Sequence, residues 1–399
     1  MSADAETLVA EGSGGEPDHL VQTEHRVTPL ELFFDLVFVF ALTQVTTLMS
    51  NDPTWGGFGR GLLLLGALWW AWVAYAWLTN TIDPDEGGAR LTMLAVMGAT
   101  LVAALAGPGA FGANALIFGL AFLAVRALHI LLYALATDDV GVKGAVYRLA
   151  PTAVGAPLLI VIAAAFDGWI QGGLWALALV IDYVGPALGR GRGWRVHPSH
   201  FAERHGLIVI IALGESIVAI GVGATGIGLD AGVLAAAIIG LVVAAALWWA
   251  YFDVVALVAE RKLREATGVE QNLLARDTFS YLHLPIVAGI VLVALGIKKT
   301  LAHVGDPLDV VPAVALCAGP AIYFLGHIGM RLRSVGTVNR RRLATAALCL
   351  AVIPIATEAS ALAALCVIAA LCTGLVAYEA IRYRSRRDTI RHGGIPAPG

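Results

Sequence analysis

Charge is what this sequence has least of. Only 14% of its 399 residues are Asp, Glu, Lys or Arg, against 58% apolar and a mean hydropathy of +0.79, a balance that excludes an ordinary soluble domain. Cysteine is sparse too. Cys317, Cys349, Cys366 and Cys372 fall inside apolar runs without C-x-x-C or Cys/His spacing, which argues against disulfides and zinc and leaves them as packing residues. The Walker A loop, G-x-S-x-G, H-E-x-x-H and the dinucleotide fingerprint are missing, so an enzyme is not expected and neither a cofactor nor a metal is implied. Residues 1–24 lack a basic stretch followed by an apolar one, so no cleavable signal peptide is expected and the first apolar run takes the role of insertion signal.

What the chain has in abundance is long apolar runs. They recur at about residues 29–50, 61–81, 91–106, 112–136, 147–166, 169–188, 203–224, 230–258, 277–299, 309–331, 342–357 and 359–381, each long enough for a membrane helix. The reading is an all-α polytopic membrane protein with about 12 transmembrane helices, the third and eleventh being the shortest. Of 26 Lys and Arg, 22 fall before the first run, at the even-numbered connections or in the tail. Arg60, Lys298 and Lys299 fall on the opposite side and Arg126 lies inside the fourth run, so both termini are expected in the cytoplasm. The expected partners are the lipid bilayer and a small ion or solute; no nucleic-acid partner is expected, and an oligomer stays open.

The runs also repeat. FFDLVFVFALTQ (Phe33 to Gln44) matches RHGLIVIIALGE (Arg204 to Glu215), and ALWWAW (Ala67 to Trp72) matches ALWWAY (Ala246 to Tyr251). ARLT at Ala89 matches ARDT at Ala275, and RLAPTA at Arg148 matches RLATAA at Arg342, in the same order. These matches predict two parallel six-helix repeats, 29–188 and 203–381, joined by a cytoplasmic linker at 189–202. An N-terminal segment, 1–28, and a basic tail, 382–399, flank them.

The few charges inside the runs are the candidates for function. TPLELFFDLVFVFALTQVTTL (Thr28 to Leu48) carries Glu31 and Asp35, and a charge at the bilayer centre costs about 2.5 kcal/mol or more. Thr28, Pro29 and Glu31 form a T-x-x-E capping box, which gives Glu31 a structural task as well. Asp35 lies one turn deeper on the same face, where no cap explains it. Glu215, in LGES, falls near mid-bilayer, and Gly214, Gly221 and Gly223 around it permit close helix approach. Arg126 has His129 one turn on and calls for a carboxylate partner among Glu215, Asp35 and Asp182, with one from the first or seventh span expected.

Asp182 and Asp253 lie toward span ends, where interfacial water can reach them. His283 and His327 are candidate proton relays near neutral pH. His197, His200, Glu203 and His205 cluster before the seventh span, but their spacing matches no zinc pattern, and Ser199 with Glu203 reads as a helix cap. Trp69, Trp70, Trp72 and Trp77, with Trp248 and Trp249, read as packing or interfacial anchors.

PLELFFDLVFVFAL and RHGLIVIIALGESIVAIG resemble the bacterial low temperature requirement protein A (LtrA) family over nearly the whole chain. The resemblance implies a polytopic inner-membrane protein linked to growth in the cold. A second, fainter one concerns Glu31, Phe33, Asp35, Val37, Phe38, Ala41 and Thr43, whose pattern is similar to the first helix of the endolysosomal potassium and proton channels. Here Phe34 replaces the serine of their Phe-Ser-Asp hallmark, and Gly206 stands where the second half would carry the aspartate. The resulting expectation is a transporter or channel for a small ion or solute with Asp35 and Glu215 at its translocation site; the alternative is a non-transporting membrane sensor or membrane-organising protein.

Overall fold

A computed structural model describes residues 27–85, 87–189, 191–225 and 228–384, which leaves most of the N-terminal segment and of the basic tail outside the described residues. Among the described residues all regular structure is helical. The helices are α1 (Pro29–Asn51), α2 (Trp55–Thr79), α3 (Gly87–Ala106), α4 (Ala115–Ala136), α5 (Val140–Ala163), α6 (Gly168–Leu188), α7 (Pro198–Ala224) and α8 (Ala231–Phe252). They continue as α9 (Val255–Glu265), α10 (Gly268–Leu274), α11 (His283–Ala302), α12 (Val310–Val335), α13 (Arg340–Ala351), α14 (Ile353–Glu358) and α15 (Ala361–Arg382). Among the described residues eleven helical stretches are long and apolar enough to cross a bilayer.

The eleventh expected span, near 342–357, is broken. It consists of α13 and α14, which meet at Val352. Pro354 lies in the first turn of α14, and a proline there has no N–H to give the carbonyl four residues back, so the helix restarts instead of continuing. The two pieces together still cross the molecule. At one end Asn339 donates to Glu379 near the end of α15; at the other Leu308 N–H donates to the Ala356 carbonyl and Ala361 N–H to that of Asp306. Two other boundaries move. The eighth span stops at Phe252 and gives way to the amphipathic α9, and the ninth starts earlier, as α10, and passes through a π-helical turn at Ala275–Tyr281 into α11.

Helices α2, α11 and α12 are the most enclosed. Helices α11 and α12 approach closely: a Cβ on Gly289 would sit 2.5 Å from the Gly319 carbonyl oxygen and one on Gly296 would sit 2.6 Å from Leu316 Cα. Backbones approach this closely only over glycine, the usual device where lipid removes the hydrophobic drive for helix association. The glycines near Glu215 do not have that role: Gly214 and Gly221 face open space, and only Gly223 touches a neighbour, Leu301. The seventh span also starts differently from expectation. His197, not Ser199, is the N-cap of α7, because Pro198 takes the first helical position, which its fixed φ suits.

The tryptophans divide by half. Trp69, Trp70 and Trp72 of α2 are buried, while Trp248 and Trp249 of α8 are 47% and 44% exposed, as side chains facing lipid would be.

Candidate acid–base cluster between α1 and α7

Glu31 and Asp35 are four residues apart on α1, and His200 and Arg204 are four apart on α7, so each pair occupies one helical face. The two faces meet. Arg204 donates from Nη1 to Glu31 Oε1 at 2.6 Å and from Nη2 to Asp35 Oδ1 at 2.7 Å. Trp72 of α2 donates its indole N–H to the same Asp35 Oδ1 at 2.9 Å, and the Arg204 guanidinium lies 5.7 Å from that ring's centre. All four polar residues are at most 2% exposed. The capping box persists within this cluster: Thr28 N–H donates to Glu31 Oε2 at 2.9 Å while Thr28 Oγ1 accepts from Glu31 N–H at 3.3 Å. Glu31 is thus both helix cap and ion-pair partner.

Hydrogen-bond logic fixes the His200 tautomer. His197 N–H can only donate, so the Asn80 atom facing it at 2.8 Å is the amide oxygen, and the amide nitrogen donates to His200 Nδ1 at 3.0 Å. His200 therefore carries its hydrogen on Nε2 and gives it to Glu31 Oε2 at 3.1 Å. Two carboxylates then face one guanidinium, and the cluster is short of one positive charge. Asp35 Oδ2, buried and without a hydrogen-bond partner, is where that deficit is exposed.

Further along the same interface Glu215 of α7 meets α1 again. Thr43 Oγ1 lies 2.5 Å from Glu215 Oε2 and Thr46 Oγ1 2.6 Å from Oε1. Each hydroxyl has a second acceptor, the Val39 carbonyl at 3.2 Å for Thr43 and the Thr43 carbonyl at 2.9 Å for Thr46. A hydroxyl carries one hydrogen. With Glu215 ionised, both threonines give theirs to the carboxylate; with Glu215 protonated, it donates to one threonine, which turns its hydrogen to the helix carbonyl. Either state leaves the carboxyl satisfied. The bonds joining α1 to α7 link residues 169 to 173 positions apart, close to the 171 that separates Phe33 from Arg204 in the sequence match.

The remaining candidates lie elsewhere. Arg126 of α4 pairs with Asp182 of α6 at 2.7 Å, both 1% exposed, and not with the first or seventh span, because the packing of the first six helices brings Asp182 to its guanidinium. His129, one turn on, bonds the Ala74 carbonyl at 3.0 Å. His283 donates from Nδ1 to the Thr278 carbonyl in the π-helical turn and accepts at Nε2 from Tyr251 Oη at 2.8 Å. Asp253 caps α8 and lines a cleft described below. Among the described residues no three His, Cys, Asp or Glu side chains are placed to hold a metal ion. Arg204 and His200 complete this cluster, although sequence reasoning did not place them among the candidate ion-binding residues. The signal was present, since Arg204 opens an apolar run whose matched partner carries two carboxylates.

Many apolar helices around buried ionisable groups define a multi-pass membrane protein. The model of the bacterial low temperature requirement A protein (LtrA) family matches residues 26–377, and the chain belongs to that family. An uncharacterized protein of Rhizobium meliloti (strain 1021) is 32% identical over 324 residues, covering 75% of this chain and 76% of the relative. No solved structure matches.

Proposed function

We propose that the protein moves a proton or a small monovalent cation along the α1–α7 interface, and that the requirement at low temperature in the family's name reflects this transport. One observation carries the reading: a sealed cluster of Glu31, Asp35 and Arg204 is one positive charge short of neutrality, with Asp35 Oδ2 unpartnered. An uncompensated charge buried among membrane helices is costly, so the site favours taking up one proton or one cation. Glu215, which accepts a proton without losing a hydrogen bond, supplies a second station on the same interface. The chemistry is ion exchange, not bond breaking, and no enzymatic activity is proposed.

The test is flux. Purified protein in liposomes is expected to dissipate a proton, potassium or sodium gradient. Asp35→Asn and Glu215→Gln, which keep size and much of the hydrogen bonding, are expected to fold at wild-type yield and to lose at least about tenfold in rate, or all pH dependence, as removing a positioned proton-transfer group does. No flux with any of the three ions across pH 5 to 8 would instead favour a non-transporting membrane sensor or organising protein.

A further inference from the structure

Helices α8, α9, α12, α13 and α15 enclose a cleft of about 710 Å³, away from the α1–α7 cluster. Its floor is Arg342, buried, which bonds Glu379 Oε2 at 2.9 Å, the Ala250 carbonyl at 3.1 Å and His327 Nδ1 at 2.6 Å. Arginine has no acceptor, so His327 Nδ1 accepts and the ring hydrogen sits on Nε2. That Nε2 is buried, belongs to a side chain 2% exposed that lines the cleft, and has no hydrogen-bond partner. A buried donor without an acceptor is destabilising.

The cleft rim is basic. Arg331, Arg340 and Arg341 line it and are exposed. Among the described residues they form no carboxylate ion pair; Arg331 donates to Thr337 Oγ1, and Arg341 stacks on Tyr378 and Tyr383. The two acids on the wall are already engaged, Glu379 by Arg342 and Asp253 by a partner of its own. Beside the arginines the wall is apolar, with Val254, Val258 and Val338, and it runs out to Trp249 and Val335, 44% and 43% exposed on the outer surface.

We propose that this cleft seats an anionic glycerophospholipid, with its phosphate on the rim arginines and its acyl chains along the valine wall toward the bilayer. Strong anion and apolar tail are both required by the lining, and a lipid headgroup carries both. The site is independent of the transport reading, since it shares no residue with the α1–α7 cluster.

Native mass spectrometry of the full chain, released from detergent after incubation with phosphatidylglycerol, phosphatidylcholine or glycerol 3-phosphate, reads the outcome. Bound phosphatidylglycerol is expected on the wild type and not on Arg340→Gln/Arg341→Gln, with retention falling roughly tenfold or more, as two surface arginines facing an anionic headgroup imply. Arg90→Gln, an exposed arginine paired with Asp85 elsewhere, is expected to retain the lipid like the wild type. Equal retention of phosphatidylcholine, undiminished retention by the double variant, or displacement of the lipid by equimolar glycerol 3-phosphate would each overturn the proposal.

Discussion

At the scale of single residues, membrane charges here come in two kinds. Arg126 and Asp182 neutralise each other's charge, although Arg126 Nε and Nη1 are buried without a hydrogen-bond partner. Breaking such a pair from one side strands the other ion, which costs about 3–5 kcal/mol, whereas replacing both with apolar groups is often neutral. Arg126→Leu alone is therefore expected to lower the melting temperature of the purified protein well below that of Arg126→Leu/Asp182→Leu. A double variant no more stable than the single one would show that the pair does more than cancel charge. Glu31, Asp35 and Arg204 are the other kind, two acids against one base, and the imbalance is what separates a candidate ion site from an internal brace.

Among the elements, the α11–α12 contact is set by glycine. Gly289 and Gly319 face each other so closely that a Cβ on either would meet the other's carbonyl oxygen, at 2.5 and 2.8 Å. Backbone cannot yield as a flexible side chain would, so Gly289→Val is expected to destabilise by about 1–3 kcal/mol and to show it as earlier thermal aggregation in detergent. Gly214→Ala, at a position with open space, serves as the comparison and should be near neutral. The break at Val352 is legible in Pro354 once the structure is seen, yet apolarity alone marked the stretch only as one span. The start of α1 was fully legible, since Thr28, Pro29 and Glu31 form the capping box that the four-letter pattern implies.

For the whole molecule, the eleven candidate membrane stretches among the described residues, counted together with the broken α13–α14 stretch, are in keeping with the even number of passes expected from the sequence. The Lys299 ammonium reaches the Ser50 carbonyl at 2.8 Å, which sets the end of α11 beside the end of α1. Arginine and lysine gather at the opposite ends, so reporter fusions at Gly193 and Gly336 are expected to score cytoplasmic and one at Asp167 external. A single reversed reporter would refute the twelve-pass count. The duplication of a six-helix unit remains our reading of the sequence; the near-constant separation of bonded residues shows that α1 and α7 run parallel.

The amino-acid sequence alone determined the class of molecule, the number and approximate bounds of the apolar runs, and the suspicion attached to Glu31, Asp35, Glu215 and Arg126. These follow from local quantities: apolarity over about twenty residues decides insertion in a bilayer, and a charge inside such a run is rare because it is costly. Which charge meets which was decided only by tertiary structure. Asp182 was one of three acids that Arg126 could have reached, and helix packing chose it. Arg204, at the edge of its run, looked interfacial until α7 lay against α1 and brought it between two carboxylates at 2.6 and 2.7 Å. A side chain's electrostatic partner depends on the rotation and crossing of helices far apart in the chain, and these are set by the summed packing of many apolar contacts that no single stretch of sequence contains.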